Sequence, residues 1–442
     1  MRQATLGTSG ILSVLAACAA VAAPPGGSAR PESRPPDGIT VATAISTRPS
    51  TRPADVSVPP VPVDPAILAA QAAFDAWVAG FRPRARAAGI KDATLDAAFA
   101  GVTYDPEVIA KDRNQTEFNR TIWDYLDRAV SETRIANGKA ALELHAALLD
   151  RIEARYGVEK EVLVAIWGME SAYGTHRGSL DVIRSLATLS HDGRRGKFFE
   201  AQLIAALTIL QSGDTAPRDM TGSWAGAMGH TQFMPGSYLD LAVDFTGDGR
   251  RDIWSDDPSD ALASTAAYLA HHGWTKGQPW GVEVMLPQGF DYALADRKLK
   301  KAPSDWAALG VTERSGRAVP DHGPAALLLP AGHEGAAFLV FDNFQAIERY
   351  NAADAYVISV GHLSDRIAGG EAFAAEWPRE DRALTRAERK EVQARLTAAS
   401  FDTGGVDGMI GPNTLAAVRA FQKSKGLVPD GYAGPGLLDR LR

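Results

Sequence analysis

Cysteine is almost absent from this chain, because Cys18 is the only one among 442 residues. A single thiol excludes an intramolecular disulfide framework and a cysteine zinc site. Long runs of lysine and arginine are also missing, and the formal net charge is -7. The chain therefore lacks the electrostatic footprint of a nucleic-acid-binding protein. We expect no nucleic-acid partner and a fold that depends on its hydrophobic core.

The histidines do not follow a metallopeptidase pattern, since the chain contains no His-Glu-x-x-His segment. His271 and His272 are adjacent and would diverge on a helix, while His176, His191 and His230 are scattered. We interpret these histidines as surface or loop residues. A metallopeptidase is therefore a weak alternative.

The N-terminal apolar run, Ile11 to Ala17, is too short to cross a bilayer. The segment Leu15 to Cys18 is similar to the bacterial lipobox, which implies a signal peptide over residues 1–18 and a lipidated Cys18. The alternative is an ordinary signal peptide that is cut after the nearby Val21 to Ala23. Both predict an extracytoplasmic protein, and Ala19 after the cysteine implies an anchor in the outer membrane.

The chain divides into segments of distinct composition. Residues 19–65 are rich in Pro, Ser and Thr, which predicts a disordered tether. Helical periodicity dominates residues 66–370, with loop or strand patterns at Val282–Phe290 and Ala325–Val340. Residues 371–383 are predicted to be a linker. We thus predict a mainly α fold with small inserted β or loop elements.

Residues 384–442 form a further unit. An amphipathic helix is predicted from Thr385, and the pattern Asp407-Gly408-x-x-Gly411-Pro412 recurs 23 residues later at Asp430. The repeat predicts a small three-helix module. The predicted core consists of Leu415, Val418, Phe421, Leu437 and Leu438.

One carboxylate stands at the end of an apolar segment. Val162 to Met169 carries no polar side chain and leads directly into Glu170. Burial would disfavour the charged form and raise the pKa of Glu170, which suits a general acid that protonates a glycosidic oxygen. The alternative is that Glu170 only caps a helix or forms a salt bridge.

Three segments carry a resemblance to a known family. Trp167 to Gly174, Leu186 to Leu189 and Ala225 to Pro235 resemble the membrane-bound lytic transglycosylase B family, and the resemblance extends over residues 66–370. It implies a lysozyme-like helical catalytic domain in which Glu170 is the only catalytic carboxylate. Residues 384–442 resemble a peptidoglycan-binding module, for which a purely structural cap is the alternative.

The resemblance implies an activity. The family cleaves the β-1,4 bond between N-acetylmuramic acid and N-acetylglucosamine, and the muramic acid's own C6 hydroxyl attacks to give a 1,6-anhydro product. We therefore expect peptidoglycan glycan strands as the partner, no catalytic cofactor and a monomer. A hydrolytic muramidase and a non-catalytic wall-binding scaffold are the alternatives.

The resemblance also implies substrate contacts from five residues. These are Ser223, Gln232, Tyr268, Tyr350 and Asn351, which we expect to line the glycan cleft. The alternative is that the tyrosines are helix packing residues and that Ser223 and Gln232 cap a loop. Arg194 and Arg195 are expected to meet stem-peptide carboxylates, with a solvated surface pair as their alternative.

One acidic loop begins like an EF-hand. Oxygen side chains stand at loop positions one, three, five and nine, and Gly249 at position six allows a sharp turn. Ser255 replaces the usual glutamate at position twelve, so closure would need Asp256 or Asp260. The predicted structural calcium site comprises Asp244, Thr246, Asp248, Arg250, Asp252 and Asp260. The alternative is a polar turn that is held by its own hydrogen bonds.

Overall fold

The computed structural model describes residues 64–114 and 120–442. The predicted signal peptide, Cys18 and the tether up to residue 63 lie outside the described residues. Helices dominate the described ranges, which confirms the mainly α prediction. None of the described helices combines the length and the apolar character that crossing a bilayer requires.

The helices of the catalytic region come in two stretches. The first comprises α1 Pro65–Ala87, α2 Asp92–Phe99, α3 Pro106–Arg113, α4 Ile122–Ala129, α5 Glu132–Leu144, α6 Ala146–Tyr156 and α7 Lys160–Ser171. The second comprises α8 Val182–Asp192, α9 Gly196–Ser212, α10 Pro235–Leu241, α11 Ser259–His271, α12 Pro303–Ala308, α13 Asp342–Tyr350 and α14 Asp354–Ile367.

Helix α7 lies at the centre of the catalytic region. Its residues Val162 to Gly168 are all buried, which explains why this segment is apolar on every side rather than on one face. Helices α5, α6, α11 and α14 pack around it. A second core lies among α1, α2, α3, α8, α9 and α10 and includes Phe74, Phe81 and Leu203.

The predicted inserted elements form a small sheet. Strands β3 Gly281–Val284, β4 Ala326–Leu328 and β5 Ala337–Val340 pair antiparallel in the order β3-β5-β4. Val282 is opposite Leu339, and Leu327 is opposite the same residue from the other side. A shorter antiparallel pair is formed by β1 Leu180–Asp181, which follows α7, and β2 Thr221–Gly222, which follows α9.

The C-terminal module contains three helices, as predicted: α15 Arg386–Ala398, α16 Pro412–Ser424 and α17 Pro435–Leu441. Thr385 and Glu388 form a capping box, which fixes the start of α15. Val418, Phe421, Leu437 and Leu438 are buried together as predicted. Leu415 is only half-buried, so its inclusion in the core was wrong. Leu384, Val392, Leu396 and Ala417 complete the core.

The two Asp-Gly turns of the module are held by equivalent hydrogen bonds from a glutamine. Gln393 donates to Asp407 over 2.9 Å and accepts from the backbone N–H of Gly408 over 2.7 Å. Gln422 likewise donates to Asp430 over 2.7 Å and accepts from Gly431 over 2.9 Å. The 23-residue sequence repeat therefore corresponds to a repeated local structure.

The module contacts the catalytic region through the second turn. His333 Nδ1 lies 2.6 Å from Asp430 Oδ2, and the His333 backbone N–H donates to the same oxygen over 3.0 Å. Arg419 adds a 2.6 Å hydrogen bond to the carbonyl of Ala295. We call the Asp430 turn, with these contacts, the docked turn.

Candidate active site

Glu170 lies in the last turn of α7, where the helix ends abruptly. Ala172 and Tyr173 follow with φ angles of 47° and 59°, and Gly174 has φ of 84°. Left-handed conformations cost energy at residues with a Cβ, and they persist only where surrounding contacts enforce them. Here Ser171 Oγ, which donates to the His230 carbonyl over 2.5 Å, accepts the Gly174 N–H over 3.0 Å. The turn and the loop around His230 therefore fix the direction in which Glu170 leaves the helix.

The Glu170 carboxyl is buried, with 6% of its surface exposed. Burial raises its pKa to about 8, while a hydrogen bond from the Tyr356 hydroxyl acts in the opposite direction. That bond is 2.5 Å long and comes from α14. The carboxyl therefore retains a proton near neutral pH, as a general acid requires. The helix-cap alternative for Glu170 does not account for this burial.

Two predicted tyrosines lie in one aromatic cluster. The rings of Tyr268 and Tyr350 are 5.0 Å apart, and Phe233 lies within 5.9 Å of both. Burial raises the pKa of Tyr350 well above its ordinary value, and the nearby charge of Glu170 adds to the effect. Tyr350 is therefore near the carboxyl. The hydroxyls of Tyr268 and Tyr350 donate to the carbonyls of Arg349 and Thr231 over 2.6 and 2.5 Å.

The polar side chains that we expect to contact the glycan form hydrogen bonds to backbone groups of nearby loops. Ser223 Oγ accepts the Ala227 N–H over 3.1 Å. The Gln232 amide donates to the carbonyls of Gly229 and Arg177 over 2.8 and 2.9 Å. Asn351 is buried, and its side-chain oxygen accepts the N–H of Ala353. The loop-capping alternative therefore describes Ser223 and Gln232, and their contact with a glycan stays a prediction.

His230 lies in a loop, which is one of the two places we expected for it, but it is buried rather than on the surface. It is 3% exposed, because its ring is a bridge between three parts of the chain. Its Nδ1 accepts the indole N–H of Trp167 over 3.1 Å, and its Nε2 lies 2.8 Å from the Ser255 carbonyl. Arg177 also reaches this carbonyl and pairs with Asp256 over 2.7 Å. These contacts tie α7 to the loop that follows Asp252.

The arginine pair is engaged within the protein. Arg194 and Arg195 lie 3.0 and 2.6 Å from the two oxygens of the buried Asp112, and Arg195 also covers the ring of Phe199. Together they neutralise a carboxylate that would be costly to bury alone. Arg194 is about half-exposed, whereas Arg195 is mostly covered.

The carboxylates of the acidic loop accept backbone N–H groups of the same loop. Asp244 accepts the N–H groups of Gly247 and Gly249, and Asp252 accepts those of Trp254 and Ser255. The two oxygens of Asp260 accept the N–H groups of Phe245, Thr246 and Asp252 over 2.9 to 3.1 Å. Across residues 64–114 and 120–442, no three His, Cys, Asp or Glu side chains converge on a point where a metal ion fits. Asp260 does close the loop, but through hydrogen bonds.

Tyr356 is the functional residue that sequence reasoning missed. It lies inside the apolar helix α14, where a tyrosine is indistinguishable from a packing residue in the sequence. Its partner Glu170 is 186 positions earlier, so only the packing of α14 on α7 brings the two together. The nearby sequence signal was Tyr350-Asn351, which marks this region of the chain but does not identify Tyr356.

Comparisons with known proteins agree with this geometry. Residues 73–365 match the transglycosylase SLT domain, and residues 385–441 match a peptidoglycan binding domain. The membrane-bound lytic murein transglycosylase B of Escherichia coli is 35% identical over 251 residues, which are 55% of this chain and 66% of that protein.

Two solved structures extend the comparison. SltB3 of Pseudomonas aeruginosa, in complex with NAG-anhNAM-pentapeptide, is 52% identical with a TM-score of 0.82 over 84% of this chain and 99% of that one. The Escherichia coli lytic transglycosylase Slt35, in complex with calcium, is 30% identical with a TM-score of 0.56 over 67% and 93%. The predicted family and its lysozyme-like helical fold are thereby confirmed: this chain belongs to the lytic transglycosylases with an SLT domain and carries a C-terminal peptidoglycan-binding module.

Proposed function

We propose that this chain cleaves the β-1,4 bond between N-acetylmuramic acid and N-acetylglucosamine in peptidoglycan and forms 1,6-anhydromuramic acid. The observation that carries the proposal is the buried carboxyl of Glu170, whose pKa is raised to about 8 at the end of α7. Membership of the lytic transglycosylases supports the choice of substrate, and a relative of 52% identity is described in complex with NAG-anhNAM-pentapeptide.

In this reaction Glu170 acts twice. As an acid it gives its proton to the glycosidic oxygen, and the bond from that oxygen to the anomeric carbon of muramic acid breaks. As a carboxylate it then takes the proton of the C6 hydroxyl while the C6 oxygen bonds to the anomeric carbon. The proton is regained, so no net acid or base is consumed. Attack from within the same sugar also avoids the entropic cost of holding a separate nucleophile.

A single carboxylate is sufficient for this scheme, whereas a muramidase needs a second one to activate water. Three other buried carboxylates in the described ranges already have hydrogen-bond or ion-pair partners. Asp112 pairs with Arg195, Asp214 pairs with Arg251 over 2.7 Å, and Asp260 accepts three backbone N–H groups. Their engagement favours the transglycosylase over the hydrolytic muramidase.

The substrate contacts belong to the same proposal. Tyr350, half-buried beside Glu170, would lie against the sugar at the cleavage point, with Tyr268 behind it. Asn351, Ser223 and Gln232 would hold the acetamido groups through the loops that they brace. Arg194 and Arg195 are proposed to meet stem-peptide carboxylates, and the half-exposed Arg194 is the better placed of the two.

The remaining segments define how the enzyme is held at its substrate. We propose wall binding by residues 384–442, a linker over 371–383, a tether over 19–65 and a lipid on Cys18. These would hold a monomer in the periplasm, anchored to the outer membrane. The module would raise the local enzyme concentration at the wall. The name of the relative at 35% identity, a membrane-bound enzyme, supports an anchor.

Calcium in the acidic loop is a separate proposal with a purely structural role. The EF-hand spacing and the calcium complex of Slt35 support it. The side chains do not fit an ion as they stand, because Asp244, Asp252 and Asp260 accept backbone N–H groups. Binding would therefore require the loop to rearrange, and no catalytic step depends on it.

Product analysis tests the proposed reaction. Purified peptidoglycan is digested with the chain lacking residues 1–23 and with its Glu170→Gln variant, and the products are identified by mass spectrometry. We expect anhydro-muropeptides from the unmodified enzyme alone. Reducing, hydrated ends would identify a muramidase instead. The absence of glycan cleavage by either protein would leave a wall-binding scaffold.

A further inference from the structure

The two Asp-Gly turns of the C-terminal module are alike in structure but differ in surroundings. Asp430 in the docked turn is buried against His333. The fit is close, since a Cβ added to Gly332 would lie 2.5 Å from the Asp430 carboxylate. Asp407 in the other turn is exposed. Only the Asp407 turn thus remains accessible to a ligand outside the chain.

Two exposed cations and two exposed apolar side chains surround this accessible turn. The half-buried Arg389 also donates to the Gly408 carbonyl over 2.7 Å, and the Asp407 carboxylate lies near Arg386. A Cβ on Gly408 would lie 3.0 Å from Cγ of Arg386 and 3.2 Å from Cγ of Lys390, so the stems of both side chains cover the turn. Both are exposed. Met409 and Val406 are 64% and 47% exposed, which is unusual for side chains of this kind. We call Arg386, Lys390, Val406 and Met409 the open-turn face.

We propose that the open-turn face binds the acidic peptide of the wall, with carboxylates at Arg386 and Lys390 and methyl groups against Met409 and Val406. The proposal rests on the proposed function and names the part of the wall that the module recognises. Charge decides between the two components of peptidoglycan. A peptide that carries free carboxylates complements a pair of cations, whereas a glycan strand whose muramic acid is amide-linked offers no charge to match.

The structure also explains why one module presents one such face. A two-fold repeated unit would ordinarily offer two equivalent surfaces. Here the catalytic region covers the docked turn, where Arg419 also donates to the Ala295 carbonyl. One turn of the repeat therefore contacts the catalytic region, and the other turn faces solvent.

Sedimentation with purified peptidoglycan tests the proposal. The chain from residue 24 onward carries Glu170→Gln so that the wall stays intact, and the double variant Arg386→Glu/Lys390→Glu is compared with it. We expect its apparent affinity to fall about tenfold, equivalent to about 1.4 kcal/mol. The matched control Lys423→Glu/Lys425→Glu makes the same charge change at the end of α16 and should bind as the parent does. Circular dichroism verifies that each variant is folded.

Two further arms identify the ligand. Peptidoglycan whose peptide carboxyls have been amidated should bind the parent as weakly as intact peptidoglycan binds the double variant. Met409→Ala, which leaves all charges in place, should weaken binding about threefold, as expected for the loss of part of one apolar contact. Unchanged binding by the double variant, an equal loss in the lysine control, or full binding to amidated or peptide-free glycan would each overturn the proposal.

Failure of this proposal is distinguishable from failure of the proposed function. Binding is measured with the Glu170→Gln chain, whereas the anhydro product is measured with the unmodified enzyme. Anhydro products together with unaffected binding by the double variant would reject only the open-turn face.

Discussion

At the scale of single residues, the buried carboxyl of Glu170 links activity to stability. Its pKa of about 8 in the folded chain lies above the ordinary value of 4.5. Between these two values the folded protein holds a proton that the unfolded chain has lost, so the stability of the fold decreases as pH rises through this window. Below pH 4.5 both states are protonated and the penalty vanishes.

Glu170→Gln should therefore stabilise the protein at alkaline pH while it strongly reduces the rate of cleavage. Glutamine cannot ionise, so we expect its melting temperature to exceed that of the unmodified enzyme at pH 8 by several degrees, with little difference at pH 4.5. Turnover should fall by about a hundredfold to ten-thousandfold. Thermal unfolding at a series of pH values measures the first effect, and a difference that does not grow with pH would contradict it.

Tyr356→Phe should shift the alkaline limb of the pH–activity profile. The hydroxyl donates to the carboxylate and lowers the pKa of Glu170, so its removal should raise that pKa. A hydrogen bond to a charged group contributes about 1.5–3 kcal/mol, so we expect the limb to move upward by about one pH unit or more. Tyr292→Phe, in the sheet region, is the matched control. A limb that stays in place would show that Tyr356 does not act on the carboxyl.

His230→Asn should impair catalysis because it changes the position of α7, which carries Glu170, and not because it removes a charge. Asparagine cannot span from the Trp167 indole to the Ser255 carbonyl, so α7 loses its link to the loop that follows Asp252. We expect a lower kcat with little change in KM, and a stability loss of about 1–3 kcal/mol for the unsatisfied buried groups. Kinetics on soluble glycan fragments and denaturant unfolding measure both effects. The exposed His271 provides the control His271→Ala, and equal effects in the two variants would contradict the positioning role.

At the scale of elements, features that depend on neighbouring residues could be predicted from the sequence. Contacts between residues that are far apart in the sequence could not. The start of α15 was predicted at Thr385, and the capping box that fixes it there is complete within four residues. The apolar run of α7 left a buried carboxyl as one of two interpretations, and Glu170 is buried. The pairing of Asp112 with Arg194 and Arg195, about 80 positions apart, depends on how α3 packs on α8. No local pattern encodes such a contact, so both arginines were interpreted through resemblance alone.

The acidic loop provides a test at the same scale. Its carboxylates already satisfy backbone N–H groups, so the turn is complete without an ion. Calcium bound there as proposed should raise the melting temperature at millimolar concentration relative to EDTA, and an unchanged melting temperature would contradict the calcium proposal. A rise that saturates with calcium concentration would show that the loop rearranges to bind the ion, and Asp248→Asn should then reduce that rise.

At the scale of the whole molecule, the docked turn decides how freely the module moves. His333→Ala removes the hydrogen bond from the imidazole to Asp430, which is one of the contacts that hold the docked turn against the catalytic region. We expect proteolysis within residues 371–383 to become several-fold faster, because local opening exposes the linker. Arg314→Ala, an exposed position before β4, is the control. Equal cleavage rates in the parent and both variants would show that the contact does not restrain the module.

The linker itself supports a restrained arrangement. Glu283 of β3 accepts the N–H groups of Ala374 and Ala375, and Arg379 pairs with Asp127 of α4 over 2.8 Å. The segment predicted as a simple connection is therefore tied along its length to both the sheet and the helices. Composition predicted its limits but not these ties, since they involve residues about 90 to 250 positions away.

Docking of the module has a consequence for the pattern of cuts along a glycan strand. If the module stays docked, the peptide that it binds lies at a fixed distance from Glu170. The number of disaccharides between the bound peptide and the cleaved bond is then constant. Partial digests should then contain favoured fragment lengths rather than a smooth exponential series, and releasing the module with His333→Ala should flatten that distribution.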